Sequence, residues 1–405
     1  MEVTFPYGKE EIVVDIPEKN LVKVVQAKEK KAENEEQIIE KALNEPANLK
    51  ILKKLKGKIA IVVDDKTRPC PTKKILPHLL DKIKGDVRII FATGTHVPVN
   101  EKEAEELLGK EIADSYEWLS HSQDAKFVDY GVTSFGTPLF FNAAFANADT
   151  KILVGDVEYH YFAGYGGGRK SVLPGVAAET TIETNHKRMF HEKARFGILD
   201  GNPVHEDMEE AAGIVGVDFC LNVVMNGRHE IVGAFAGNHK EVLRKGAQLV
   251  DEMYRVNIPH KVDAAIIAAD GFPHDINLYQ AMKAIQTVID VVKEGGTIVL
   301  IAQCKEGHGS EKFYSEMGKY ESSDEIKKDL MKKFVMGKHK VYYMLKATEK
   351  VKLYMVTDMD DELVAHFRME KIDSDEILDK IYERHGDKVK ILASPHASTT
   401  LATLQ

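Results

Sequence analysis

The sequence is short of cysteine, of tryptophan and of long apolar runs, and each shortage narrows what the chain can be. Its three cysteines, Cys70, Cys220 and Cys304, lie far apart and are odd in number. They form neither a disulfide framework nor a Cys-based metal motif, and the expected compartment is the reducing cytoplasm. No apolar stretch approaches the roughly 20 residues of a membrane span. The opening Met1-Glu2-Val3-Thr4-Phe5 lacks the basic and apolar regions of a secretory signal. A concentrated basic face is missing too. The net charge is −9 and spread along the chain, and the lysines from Lys23 to Lys31 are interleaved with Glu, the pattern of a solvated helix face. Neither nucleic acid nor a membrane is therefore an expected partner.

What is present suits an α/β enzyme. At 405 residues and 43% hydrophobic composition the chain can build two or three cores. It opens with a hairpin pattern, Val3-Thr4-Phe5 and Ile12-Val13-Val14 around a turn at Gly8. A helix is predicted from about Glu35 to Leu43, with Asn34 as N-cap and Pro46 beyond its end. Short β-rich runs then alternate with helical patterns: residues 59–63, 87–91 and 151–154, and in a second set 264–268, 297–301, 351–356 and 389–392. Continuous apolar strands alternating with helices imply mostly parallel sheets covered on both faces. The expected architecture is two α/β domains, residues 1–257 and 258–405, divided near Asn257-Ile258-Pro259.

Ligands of open parallel sheets bind beyond the carboxyl ends of the strands, and here those ends are rich in reactive side chains. One strand runs into Asp64-Asp65-Lys66-Thr67-Arg68-Pro69, the next into Thr93-Gly94-Thr95-His96, a third into Asp156-Val157-Glu158-Tyr159-His160, and one of the second set into Asp270. The Gly-rich segment Gly164-Tyr165-Gly166-Gly167-Gly168-Arg169-Lys170-Ser171 follows. Its backbone N–H groups could form an anion nest, or it could be a flexible turn with a surface lysine. It is not a P-loop, because Arg169 stands where the second glycine belongs, and it is not a dinucleotide fingerprint. Lys170 could instead be a nucleophile, activated by desolvation and by Arg169.

Asp65 and Arg68 make either a local ion pair or a grip on a carboxylate or phosphate. His96 and His160, at equivalent ends of one sheet, could serve as two acid–base groups facing one substrate, an arrangement suited to inverting a stereocentre. His186 and His191, five apart, point to different helical faces and cannot chelate one metal together. His205 reads as a capping or surface residue. Tyr279, Gln280 and Lys283 could hold a carboxylate from one helix, Tyr279 and Lys283 sharing a face, or could be a solvated helix start.

Taken together, Asp65-Lys66-Thr67-Arg68-Pro69, Gly94-Thr95-His96, His160-Tyr161-Phe162-Ala163-Gly164, Gly167 to Gly175, Asn185-His186 and Tyr279-Gln280-Ala281-Met282-Lys283 resemble the motif series of the nickel-pincer lactate racemase family. The order and the local spacings agree over most of the chain. The resemblance implies an active site in the cleft between two domains and a nickel-pincer nucleotide cofactor, Ni(II)-pyridinium-3,5-bisthiocarboxylate mononucleotide. It implies that Lys170 holds this cofactor covalently, that His186 ligates nickel, and that Asp65, Lys66, Thr67 and Arg68 contact it. His96 and His160 would be the acid–base pair, one neutral and one protonated near neutral pH. Arg68, Tyr279, Gln280 and Lys283 would bind the substrate. The implied reaction is racemisation of a 2-hydroxy acid through removal and return of hydride at C2. Cofactor-maturation proteins are the implied partners.

Two features depart from the pattern. Thr95 stands where a bulkier residue is expected, and the single tryptophan, Trp118, lies outside the motifs, so no aromatic wall is evident late in the chain. Malate or 2-hydroxyglutarate therefore stand beside lactate as substrates. An NAD-dependent 2-hydroxyacid dehydrogenase is the alternative enzyme, although its fingerprint is not found. A non-catalytic carrier using the Gly-rich nest is a third reading.

Overall fold

Every apolar run read as a strand is a strand in the computed structural model, which describes residues 1–46 and 56–405. By internal contact the chain divides into two units, Glu29–Glu252, and Met1–Lys28 together with Met253–Gln405. In chain order the strands that matter are β1 (Glu2–Tyr7), β2 (Glu10–Asp15), β3 (Leu21–Val24), β4 (Lys58–Asp64), β5 (Asp86–Ala92), β6 (Glu117–Ser120), β7 (Thr150–Asp156), β8 (Phe219–Met225), β9 (Ile231–Gly237), β10 (Val262–Ala268), β11 (Val292–Ile301), β12 (Lys352–Val356), β13 (Glu370–Lys371) and β14 (Ile391–Ser394).

The unit Glu29–Glu252 is built on a six-stranded sheet of order β9-β8-β7-β4-β5-β6. All pairs are parallel except the edge pair β8–β9. β7 is buried at every position, as a strand covered on both faces must be. One face packs Ile61, Val63, Phe91 and Val154 against Ile39 and Leu43 of helix α1 (Glu35–Asn44) and Ile75 and Leu79 of α2 (Thr72–Leu80). Asn34 caps α1 as expected, its side chain accepting from the Gln37 N–H at 3.1 Å. From β4 the chain moves outward through β5 to β6, then returns to β7 on the other side of β4. That reversal is the switch point at which open α/β sheets bind ligands.

The second unit carries a sheet of order β13-β12-β11-β10-β14-β3, all parallel. It differs from the division at residue 257. The first 28 residues belong here, because β3 pairs with β14, Leu21 opposite Ile391, and because Val3, Phe5 and Val14 of the hairpin join the core of Ile266, Val299 and Ile391. The expected boundary near Asn257-Ile258 falls in a strand, Arg255–Ile258, in parallel pairing with Leu401–Leu404. Lys23, expected on a helix face, lies in β3. Among the described residues no helix is long and apolar enough to cross a membrane.

Candidate active site

The carboxyl ends of β4, β5 and β7, three adjacent strands, bring the expected residues of the first unit together. Asp65 follows β4 and is buried, 3% exposed. Its Oδ1 accepts from the Thr67 N–H at 2.9 Å and from the Thr67 hydroxyl, and its Oδ2 lies 2.8 Å from Nδ1 of His96, beyond β5. Burial raises the Asp65 carboxyl, but the bonds from His96 and Thr67 outweigh it and hold the group below the usual carboxylate range. An ionised Asp65 can only accept, so the hydrogen-bond network assigns the proton of neutral His96 to Nδ1 and leaves Nε2 as the acceptor. The side chain is half-exposed, at 47%. Asp65 and Arg68 thus do not form the local ion pair that their spacing allows. Lys66 pairs with Glu103, the glutamate that also closes the capping box of the helix Glu101–Leu108.

His160, just beyond β7, is tied the opposite way. Its Nδ1 accepts from the Ala163 N–H at 3.2 Å, so the proton of the neutral ring sits on Nε2. The ring stacks on Tyr161, with centroids 5.0 Å apart, and meets the edge of Phe162 at 4.5 Å. Burial, then the charges of Lys170 and Arg68, push this imidazole well below its ordinary value. The expected protonated partner is therefore not His160 in this state; as neutral rings the two histidines take opposite tautomers.

Lys170 sits in a 3-10 turn, Gly168–Ser171. Burial first, then the guanidinium charges of Arg68 and Arg169, hold its amine well below its ordinary value. A lysine depressed in this way gives up its proton more readily than a surface lysine, which favours its nucleophilic form. Among the described residues no hydrogen bond or ion pair engages its Nζ.

The Gly-rich segment turns several of its N–H groups inward. Three of its N–H groups are used inside the protein: Gly166 donates to the Glu158 carbonyl at 2.7 Å, Gly168 to Asn222 Oδ1 at 2.8 Å and Lys170 to the Gly167 carbonyl at 3.2 Å. The glycines answer to packing. Gly164 has φ +79, and a Cβ there would lie 2.1 Å from the Ile198 carbonyl oxygen; Gly167 has φ +80, and its Cβ would lie 2.6 Å from that of Asp156. Both positions demand glycine.

Arg169 shapes this loop from inside. It is fully buried, its guanidinium donating to the carbonyls of Ala163 (2.8 Å), Tyr165 (2.9 Å) and Gly167 (3.0 Å) and, from Nε, to Nδ1 of His205 at 2.9 Å. His205 is thus not a surface or capping residue. It is 1% exposed, and burial together with Arg169 pushes it down to about 2, which keeps Nδ1 an acceptor. Replacing Arg169 by Met strands these acceptors in the interior. Arg169→Met should cost roughly 3 kcal/mol or more of unfolding free energy, read by urea denaturation; a loss within about 1 kcal/mol would remove its structural role.

His186 ends the helix Glu179–His186 and is 4% exposed. It is pushed down to about 3 by burial and by the Lys170 charge, while a ring N–H bond to the Ile182 backbone opposes the shift. A buried, neutral imidazole is the form in which a histidine ligates a metal. His191 is exposed and takes no part.

A carboxylate group that spacing had not singled out completes the switch point. Asp64 at the end of β4, Asp156 at the end of β7 and Cys70 bring one ligand atom each within 4.8 Å of one another. Burial, then the charge of Asp65, raises Asp64 to about 6 against the opposing pull of Arg68; Asp156 goes well above its ordinary value, and burial keeps the Cys70 thiol protonated. A thiol that burial holds protonated is a poor donor for a soft metal. The pair acts electrostatically on Arg68, whose guanidinium lies 3.5 Å from Glu158.

In the other unit, Asn277 caps the helical turn Leu278–Ala281, accepting from the Gln280 N–H at 3.1 Å. Lys283 Nζ donates to Gln280 Oε1 at 2.6 Å. Tyr279 is engaged by Phe313, whose ring meets it edge-on at 5.8 Å.

Comparison with known proteins accounts for both units. Residues 7–197 match the model of the lactate racemase N-terminal domain and residues 258–400 that of the lactate racemase C-terminal domain. The chain belongs to the lactate racemase family. Within it, the chain is 32% identical to the lactate racemase of Lactiplantibacillus plantarum, over 97% of both chains. It is 36% identical to that of Thermoanaerobacterium thermosaccharolyticum, over 77% of this chain and 76% of the relative. The solved apoprotein of lactate racemase from T. thermosaccharolyticum superposes with a TM-score of 0.93 at 30% identity, covering 100% of both chains. A Thermotoga maritima protein shares the fold, with a TM-score of 0.64 at 18% identity over 91% of this chain and 97% of that one.

Proposed function

We propose that the protein is an isomerase that inverts C2 of a small 2-hydroxy acid, lactate foremost, by reversible hydride transfer. Besides family membership, one observation carries this reading: two imidazoles beyond the strands that flank β4, each fixed through Nδ1, in opposite tautomers. One therefore offers a lone pair at Nε2 as a base, and the other, its Nδ1 already accepting from Ala163, becomes an acid only when a second proton makes it imidazolium.

The reading requires the nickel-pincer nucleotide, and the donor set fits it. Lys170 would hold it through its depressed, nucleophilic amine, and His186 would ligate nickel as a neutral imidazole. When bound, the group supplies a centre that accepts hydride from C2 and returns it to either face. Arg68 would meet cofactor and substrate. Asp65 and Thr67 serve by holding His96, and Lys66 is tied to Glu103.

The chain's own residues manage the protons. Nε2 of His96 takes the hydroxyl proton as C2 is oxidised, and the ionised Asp65 stabilises the resulting imidazolium. His160 must carry a second proton to return one. The Lys170 charge is the largest electrostatic influence against that. Converting the amine to an uncharged linkage removes it, so the tethered protein holds a His160 closer to its ordinary value. Arg68 is the carboxylate-binding cation of its unit, and Gln280 and Lys283, with Tyr279 beside them, are the carboxylate donors of theirs.

The three free, buried cysteines suit a cytoplasmic protein, and a tethered cofactor calls for maturation proteins as partners. The test is a chiral assay. Cofactor-loaded protein given L-lactate without NAD should produce an equimolar mixture of enantiomers. Failure with lactate, malate and 2-hydroxyglutarate alike would refute the proposal, and conversion strictly dependent on NAD would favour a dehydrogenase.

A further inference from the structure

His160 is carried by a very small piece of sheet. Tyr159–His160 pairs antiparallel with Gly164–Tyr165, Tyr159 opposite Tyr165 and His160 opposite Gly164. The turn between them supplies the Ala163 N–H that reaches Nδ1 of the imidazole at 3.2 Å. The tautomer of His160 therefore depends on the shape of that turn, and the turn depends on the register of the two strands. So short a ribbon cannot hold a register alone, since even a full hairpin is marginal in water. Something outside it has to.

Part of the support goes to the backbone of the turn. Arg169 donates to the carbonyls of Ala163 and Tyr165, and Asn202 Nδ2 donates to that of Phe162 at 2.9 Å. The pairing itself is tied by a side chain, Asp251 of the helix His239–Tyr254. Its Oδ1 accepts from the Tyr159 hydroxyl at 2.8 Å and from the Tyr165 hydroxyl at 2.6 Å. These two tyrosines are the cross-strand pair beside His160, with ring centroids 5.4 Å apart. One carboxylate oxygen thus binds both strands at the same rung. Slipping either strand by one residue would carry its tyrosine to the other face of the ribbon and break one of the two bonds. Tyr165 is 2% exposed, so its hydroxyl has to find a partner inside the protein.

We propose that Asp251 is a positioning residue for His160: by tying Tyr159 to Tyr165 it holds the rung beside the histidine, keeps the Ala163 N–H on Nδ1, and so sets Nε2 as the nitrogen presented for proton transfer. The inference rests on the reading that His160 is one of the two acid–base groups. A carboxylate that served only to stabilise the fold would leave the tautomer of His160 untouched, and this one must not.

The experiment reads that tautomer by nitrogen NMR of the full-length protein, isotope-labelled at its histidine nitrogens, for wild type, Asp251→Leu and Asp251→Asn. The signal missing from His160→Gln assigns the residue. Wild type should show a neutral His160 protonated at Nε2 alone. Asp251→Leu should show shifts averaged toward the other tautomer, and Asp251→Asn, which keeps an oxygen acceptor, should restore the wild-type pattern. In cofactor-loaded protein Asp251→Leu should lower kcat by roughly ten- to hundred-fold, the scale of a small misplacement of a catalytic group. KM for lactate should change far less, and Asp251→Asn should recover most of the loss. If Asp251→Leu does not fold, Tyr159→Phe, which removes one of the two hydroxyls and little else, carries the same expectation at smaller size. A lower melting temperature with an unchanged His160 tautomer would show a merely structural role and overturn the proposal. So would a shift in Asp251→Leu that Asp251→Asn does not reverse. A tautomer that depends on Asp251 in a protein that never racemises a 2-hydroxy acid would refute the proposed reaction and leave this inference standing.

Discussion

Lys170→Ala should abolish racemase activity, by at least about 10³-fold given that enzyme accelerations generally span roughly 10⁶-fold and more. It should also remove any added mass from the intact protein isolated after co-expression with the maturation machinery. The reason is the state of the amine. Burial and the charges of Arg68 and Arg169 depress it, so it gives up its proton more readily than an ordinary lysine and is the better nucleophile. The sign yields a second outcome. In unloaded protein Lys170 should react with an amine-directed reagent near neutral pH, and its rate should fall only well below the pH at which surface lysines protonate. Peptide mapping checks both. A Lys170→Ala protein that keeps full activity and the adduct would show that the tether is elsewhere, and a Lys170 labelled no faster than Lys66 would remove the argument from its surroundings.

Asp65→Asn should lower kcat by roughly 10²–10⁴-fold while leaving the fold and lactate binding nearly unchanged. Asp65 can only accept from His96, and so keeps the imidazole proton on Nδ1 and the lone pair on Nε2. An asparagine can present its NH2 to the ring instead, and then Nε2 carries the proton and cannot receive another. The loss should affect L-to-D and D-to-L conversion alike, because equilibrium between enantiomers is fixed by symmetry. The folded Asp65 carboxyl titrates below its unfolded value. Its contribution to stability is present above the unfolded pKa and disappears as pH falls through the folded one. Asp65→Asn should therefore flatten the acid limb of a stability profile. An unchanged kcat would show that His96 is not the base.

Much of this site is visible along the chain and some of it is not, for a physical reason. The apolar runs of β4, β5 and β7 and the polar residues that follow them are local patterns, and local patterns read out the strands and the candidate residues at their ends. Pairing across strands is not local. Asp65 has Arg68 three residues away, yet its partner is His96, brought near by the parallel register of β4 and β5. His205 looks like a helix-start residue until Arg169 is found buried against it. The first 28 residues cross to the other unit because Leu21 pairs with Ile391 and Asn20 donates to the carbonyls of Asp387 and Val389. The Asp64–Asp156 pair arises at the switch point, which exists only once strand order is known. The Gly-rich loop was legible as glycine-dependent, but its dependence comes from Ile198 and Asp156 rather than from a phosphate.

The central claim is that hydride leaves C2 and returns to the same carbon without meeting solvent. Racemisation of C2-deuterated lactate in ordinary water by the cofactor-loaded protein, followed by mass spectrometry of both enantiomers, tests it directly. The account predicts racemic product that retains the deuterium. Product in which the label has washed out to protium at the rate of inversion would contradict it, because that is the signature of proton abstraction at C2.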